Sequence, residues 1–106
     1  MTKLAASLGI AIALVATLST RAQSPRAISL DSATVVELNA AFEAGTLTSE
    51  QLVSMSLARI RAYDRQGPML RALITVNPKA VDAARQLDAE RKAKGPRSLL
   101  HGIPVV

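Results

Sequence analysis

Cysteine and aromatic residues are the scarce components of this 106-residue sequence. It has no cysteine and no tryptophan, and its only aromatic residues are Phe42 and Tyr63. Without cysteine, neither a disulfide nor a thiolate metal site can form within the chain. Aromatic side chains bury the largest areas in protein cores. A core built here from Ala, Leu and Val is therefore expected to be only marginally stable by itself.

Acidic residues are missing from the first 22 positions, where Lys3 and Arg21 are the only charged residues. Residues 4–18 form an uncharged run, which is shorter than the ~18 or more apolar residues of a membrane span. A basic start, an apolar run and a short polar end are the plan of a secretory signal peptide. We predict a signal peptide over 1–22 and an exported, periplasmic or secreted, mature part over 23–106. An uncleaved anchor helix, a buried core helix and a wrongly assigned start codon are the alternatives.

The net charge of +5 overstates the basic character of the part that follows this leader. Eleven basic and eight acidic residues remain there, and the basic residues are not interleaved with aromatic ones. A nucleic-acid partner is therefore not expected. Two acid-first pairs four residues apart, Asp88 with Lys92 and Glu90 with Lys94, are expected on an outer helix face. The charge-dense segment 91–97 is interpreted as a solvated helix end.

Apolar residues at spacings of three and four predict a first helix. Asp31 and Ser32 offer N-cap oxygens before it, and Gly45 suits the left-handed position past its end. The residues of the apolar stripe are Val35, Leu38, Ala41 and Phe42.

A second helix is predicted from about Ser49 to Arg65. Thr48 and Gln51 have the spacing of a capping box, and Gly67 followed by Pro68 stops the helix. The predicted inner face consists of Leu52, Val53, Ser56, Leu57, Ile60 and either Tyr63 or Asp64.

Residues 70–76 are rich in β-branched side chains near their end and predict a short strand or extended segment. Pro78 suits the first position of a third helix, which runs to about Lys94 before Gly95 and Pro96. The third helix has a thin apolar stripe of Ala80, Ala84 and Leu87. The expected fold class is mainly α, with about three helices and short extended segments.

Residue patterns that support catalysis or metal binding are not found in the sequence. No serine lies in a Gly-flanked nucleophile elbow, and no paired-carboxylate, metal-ligand or phosphate-loop spacing occurs. The single histidine, His101, precedes Gly102 and is interpreted as structural rather than as a base. We therefore expect no catalytic, cofactor-binding or metal-binding residue in this chain.

Two segments, 33–64 and 70–106, resemble the N-terminal region of the amidase signature family. In the first, GTLTSEQL at 45–52 and RIRAYD at 59–64 match the helix–link–helix pattern of the family. In the second, an Asn-Pro followed by spaced Ala and Asp residues leads to LHGIPV at 100–105, the most specific match. The chain departs from the family pattern by a small insertion, Arg97-Ser98-Leu99.

The resemblance implies a truncated part of an α/β domain with a mixed sheet. It implies an exported amidase that hydrolyses C–N bonds of small or peptide-like amides by a Ser–cis-Ser–Lys mechanism, with no cofactor. The family's Lys strand follows directly after the segment that ends at Val106, so those catalytic residues are expected beyond this chain. The segment would then need the rest of its own domain. The alternative is a complete, small exported helical module that binds a partner without catalysis.

Overall fold

A computed structural model describes residues 27–106, so the signal peptide predicted over 1–22 lies outside the described part. The described part contains three α-helices and no β-strand. They are α1 (Val35–Glu43), α2 (Ser49–Arg59) and α3 (Ala80–Lys94), and a π-helical segment (Ile60–Arg65) continues α2. None of these helices is long and apolar enough to cross a membrane. The mainly α fold expected for this segment is confirmed.

Helix α1 begins after Thr34, and the predicted N-caps Asp31 and Ser32 are therefore wrong. The Thr34 hydroxyl accepts the Glu37 N–H at 3.2 Å, and the Glu37 carboxylate accepts the Thr34 N–H at 2.8 Å. This reciprocal pair satisfies two backbone groups at once, which one Asp or Ser oxygen does not do. Asp31 and Ser32 lie in a turn before the helix. The predicted end is correct, because Gly45 follows the helix with a φ of 71°.

The capping box predicted for α2 is confirmed. The Thr48 hydroxyl accepts the Gln51 N–H at 3.1 Å, and the Gln51 side chain accepts the Thr48 N–H at 3.0 Å. The helix reaches Arg65 as predicted, but its last six residues are π-helical. This turn places Asp64 inside, with 5% of its surface exposed, and leaves Tyr63 half exposed.

The buried Asp64 carboxylate organises the segment that follows. Its Oδ1 accepts the N–H groups of Ala72 and Leu73 at 2.6 and 3.3 Å, and Arg65 donates to the Leu73 carbonyl at 2.8 Å. These bonds hold the start of the segment against the π-helical turn. Residues 70–76 form no strand, Arg71 has a φ of 52°, and Ile74 lies in a bend. The strand alternative predicted for 70–76 is therefore wrong, and the segment is not regularly extended either.

Helix α3 begins two residues later than predicted. The Asn77 side chain accepts the Lys79 N–H at 2.9 Å, which forms a turn that contains Pro78. Pro78 therefore precedes the helix, with Lys79 as the N-cap residue and Ala80 as the first helical residue. The helix ends at Lys94, as the sequence predicts, and Gly95 follows it with a φ of 81°.

The hydrophobic core lies between α1, the link to α2 and the first turns of α2. Residues that line it from other segments include Ile28 before α1 and Ile103 near the end of the chain. Helix α3 packs along α2, with Ala84 buried against it. The buried core residues are Leu38, Ala41, Phe42, Leu47 and Leu52.

Candidate functional site

A turn near the end of the chain, residues 99–102, lies on the N-terminus of α2. We call this region the junction. Four parts of the chain meet there: α1, the start of α2, the second half of α3, and the turn. The residues of the junction are Phe42, Ser49, Asp88, Arg91, His101 and Gly102.

Asp88 of α3 caps the N-terminus of α2 from outside that helix. Its two carboxylate oxygens accept the N–H groups of Ser49 and Glu50 at 2.8 and 3.0 Å. A carboxylate at this position satisfies amides that have no partner within the helix and lies favourably in the helix dipole. The predicted outward pair of Asp88 with Lys92 is therefore wrong. Arg85 strengthens the same contact through an ion pair with Glu50 at 2.8 Å.

The His101 side chain is held on both ring nitrogens. Its Nδ1 accepts the Arg97 N–H at 3.3 Å, and its Nε2 lies 2.9 Å from the Leu87 carbonyl oxygen. With these partners Nδ1 is the acceptor and Nε2 is the donor to the carbonyl. Only 5% of the His101 surface is exposed. The imidazole joins the turn to α3.

Arg91 links α3 to both α1 and the turn. Its guanidinium lies over the Phe42 ring, 4.7 Å from the centroid. Its Nη2 donates to the His101 carbonyl oxygen at 2.7 Å. The interpretation of 91–97 as a solvated helix end is therefore wrong for Arg91, which points inward.

The rest of that charge-dense segment does lie at the surface. Arg97 forms a hydrogen-bonded ion pair with Glu90, and the predicted partner Lys94 acts on Glu90 through its charge without a direct contact. The hydrogen bond from Arg97 holds the pKa of the Glu90 carboxyl below its ordinary value. Lys92 and Lys94 are exposed, as expected.

Gly102 makes the closest approach in the junction. Its φ of 82° lies in the region that favours glycine. A Cβ at this position would lie 3.0 Å from the Ser49 Cβ and would overlap the Ser49 hydroxyl. Ser49 itself is fully buried. A side chain at residue 102 would therefore push the turn away from α2.

Beyond the junction, the end of the chain follows an open groove between α2 and α3. The groove has a volume of about 920 Å³. Its walls are mainly apolar, and the Val105 and Val106 side chains are largely exposed beside it. Lining residues include Leu57, Ile60, Val76, Ala83, Ile103 and Val105.

Residues 27–106 contain no group of three or more His, Asp or Glu side chains placed to hold a metal ion. Among the serines, Ser56 donates to the Leu52 carbonyl within α2 at 2.9 Å, and Ser49 is enclosed by the turn. The arrangement can position a backbone and offer an apolar face.

Helical spacing could have identified the two junction residues that were predicted on the outside. Asp88 lies four residues after the buried Ala84, and Arg91 lies four after Leu87. Residues four apart lie on the same face of a helix. Both therefore lie on the inner stripe, although each carries a charge.

Similarity to known proteins covers this same segment. No family model matches the chain. The crystal structure of the peptide amidase of Stenotrophomonas maltophilia matches 66% of this chain, with 47% identity and a TM-score of 0.64. A probable amidase of Arabidopsis thaliana is 39% identical over 80 residues, 74% of this chain. The chain belongs to the amidase signature family.

A second kind of amidase-signature relative comes from the glutamyl-tRNA(Gln) amidotransferase of Myxococcus xanthus. One of the subunits of that enzyme is 42% identical over 73 residues, 68% of this chain. The chain spans about 15% of the length of these curated relatives and 14% of the peptide amidase. The described helices and the junction are therefore one small part of an amidase-signature architecture.

Proposed function

We propose that this chain is the scaffold segment of an exported amidase that hydrolyses C–N amide bonds. The observation that carries the proposal is the 47% identity to the peptide amidase over two thirds of the chain. Another structure of that enzyme contains the competitive inhibitor chymostatin. Small or peptide-like amides are accordingly the substrates that we propose.

The proposed reaction uses a Ser–cis-Ser–Lys arrangement outside residues 27–106. The nucleophilic serine attacks the amide carbonyl, and its proton passes through the middle serine to the lysine. The amine leaves with a proton, which produces an acyl-enzyme. Water then hydrolyses the ester, releases the carboxylic acid and restores the serine. No cofactor is required for this sequence of steps.

The described segment would support this centre in two ways. The apolar groove between α2 and α3 offers a face against which the remainder of the domain can pack, because exposed apolar surface of this size is costly in water. The junction fixes the direction in which residues 103–106 leave the helices. In the proposed enzyme this direction sets where the following Lys strand begins.

Hydrolysis is proposed in preference to transfer of ammonia onto tRNA-bound glutamate. The name of the Myxococcus xanthus relative describes that second activity. The basic, apolar and polar order of residues 1–22 supports export, and charged tRNA is a cytoplasmic substrate. A protein outside the cytoplasm would instead meet small amides and peptides.

The first test uses the full-length protein encoded by the gene. We expect a lysine shortly after Val106, a Gly/Ser-rich stretch later, and release of ammonia from C-terminal peptide amides or small amides. Absence of both sequence features, together with no ammonia release from either substrate class, would overturn the proposal. A stop codon directly after Val106 with a stable, sharply melting product would favour the small binding module.

Export is tested separately on the same protein. The N-terminal sequence of the product found outside the cytoplasm is expected to start near residue 23. A product that keeps Met1 and stays with the cytoplasmic fraction would contradict export. The activity assay would still decide whether the protein hydrolyses amides.

A further inference from the structure

We infer that Arg91 is a positioning residue of the amidase reaction, which acts through the backbone carbonyl of His101; this inference rests on the proposed function. Arg91 would touch neither the substrate nor the reacting atoms. It acts on the path of the chain between α3 and the wall of the groove.

The geometry around Arg91 is that of a clamp between three parts of the chain. The side chain starts on α3, its guanidinium lies 4.7 Å from the centre of the Phe42 ring of α1, and its Nη2 donates to the His101 carbonyl at 2.7 Å. A planar guanidinium can stack on a ring and donate in its own plane at the same time. A lysine ammonium cannot reproduce both contacts.

The hydrogen bond from Arg91 restrains the His101 carbonyl rather than the His101 ring. The ring is held by Arg97 and Leu87. For the carbonyl, the partner within residues 27–106 is Arg91. Loss of the guanidinium would leave the ring in place but would remove this restraint on the peptide plane between His101 and Gly102.

Rotation of that peptide plane would move the residues that follow it. Gly102 packs on Ser49, and the Ile103 N–H donates to the Leu100 carbonyl at 3.1 Å, so the displacement would be small. Ile103, the next residue, packs against the core and lines the groove, and the three residues after it line the same groove. A displacement that begins at His101 is therefore passed to the groove wall on which the proposed catalytic part would rest.

Catalysis is sensitive to such small displacements. A misplacement of about 1 Å far from the chemistry can cost about 100-fold in rate. The substitution would not remove or replace any residue that binds the substrate. The expected signature is therefore a lower kcat with an unchanged KM.

The experiment uses the full-length protein with Arg91→Ala, Arg91→Lys and, as a matched control, Lys92→Ala on the exposed face of the same helix. We expect kcat of Arg91→Ala to fall at least about tenfold with KM within about twofold. The kcat of Arg91→Lys should lie between that of Arg91→Ala and that of the wild type. Lys92→Ala should leave both constants unchanged.

Chemical rescue separates positioning from a general loss of folding. Guanidinium ions at non-denaturing concentration are expected to restore part of the kcat of Arg91→Ala, since they can occupy the space between Phe42 and the His101 carbonyl. Sodium chloride at the same ionic strength should not. If Arg91→Ala does not fold, Arg91→Lys is measured at a temperature well below its melting point, where a kcat equal to that of the wild type overturns the inference.

The possible failures are distinguishable. A wild-type protein with no amide hydrolysis overturns the proposed function itself. An active wild type with an unchanged kcat in both Arg91 variants, or a kcat loss that guanidinium does not reverse and that follows the melting temperature, overturns only the positioning role of Arg91.

Discussion

Gly102 rests directly on Ser49, the first residue of α2, with no room for a side chain between them. A Cβ on Gly102 would overlap the Ser49 hydroxyl and lie 3.0 Å from the Ser49 Cβ. Because Ser49 is fully buried, it cannot move aside into solvent. The glycine of the LHGIPV motif is therefore required by a contact with a residue far away in the sequence as well as by its own positive φ.

Substitution of this glycine tests the contact. Gly102→Ala is expected to lower the free energy of unfolding of the full-length protein by about 2–4 kcal/mol, from the positive φ and the overlap together. Gly45→Ala is the matched control, because its φ is 71° but nothing lies within 4 Å of the added Cβ. Gly45→Ala should lower the free energy of unfolding by only about 1–2 kcal/mol. Urea unfolding measures both values.

Removal of the Ser49 side chain should abolish the difference in stability loss between Gly102→Ala and Gly45→Ala. In a Ser49→Gly background, Gly102→Ala is expected to cost about as much as Gly45→Ala, which is the result of a double-mutant cycle with strong coupling. Equal costs for the two glycine substitutions in the original background would show that the overlap is absent.

The cross-helix cap makes a second prediction. Asp88→Ala removes the acceptors of two α2 amides at 2.8 and 3.0 Å. We expect a loss of about 1–3 kcal/mol of stability and faster hydrogen exchange at the Ser49 and Glu50 amides. Asp82→Ala, on the exposed face of the same helix, should stay within about 0.5 kcal/mol. If the two variants unfold at the same urea concentration, Asp88 does not cap α2.

The pair of Glu90 and Arg97 predicts a pH dependence. The hydrogen bond from Arg97 lowers the pKa of Glu90 in the folded state. Its stabilising contribution is therefore complete above the ordinary pKa of glutamate, about 4.3, and is lost as the pH falls through the lowered value. The difference in melting temperature between wild type and Glu90→Gln should be present at neutral pH and vanish under strongly acidic conditions.

Salt provides the control for this third prediction. Both side chains are in contact with solvent, so high ionic strength should reduce the difference at neutral pH. A direct titration of the Glu90 carboxyl by NMR should give a midpoint below that of an unperturbed glutamate. A midpoint at or above the ordinary value would contradict the pairing.

Several features that depend on three or four neighbouring residues were predictable, although the Thr34–Glu37 capping box of α1, which has the same spacing, was missed. Thr48 and Gln51 form the expected capping box. Gly45 follows α1 with a positive φ, and α3 ends before Gly95 and Pro96, both as expected. Such signals work because donor and acceptor lie within one helical turn, so their distance is known as soon as a helix is assumed.

Contacts between distant residues were not predictable from local rules. Helical spacing places Asp88 and Arg91 on the inner face of α3, but their charge made solvent the expected environment. Their partners Ser49, Phe42 and His101 lie in other elements, whose placement no local pattern determines. The π-helical turn that brings Asp64 inside has the same origin, since it depends on amides eight and nine residues away.

The cap on α2 also affects how the helix forms during synthesis. Thr48 and Gln51 can close their reciprocal bonds as soon as the first turn exists, but Asp88 follows Ser49 by 39 positions. A chain made from its N-terminus therefore exposes two uncapped amides at the start of α2 until α3 has been added. His101 and Gly102, made later still, cover that same helix end. We therefore expect the nascent segment to gain its full protection against proteases only when the turn has left the ribosome.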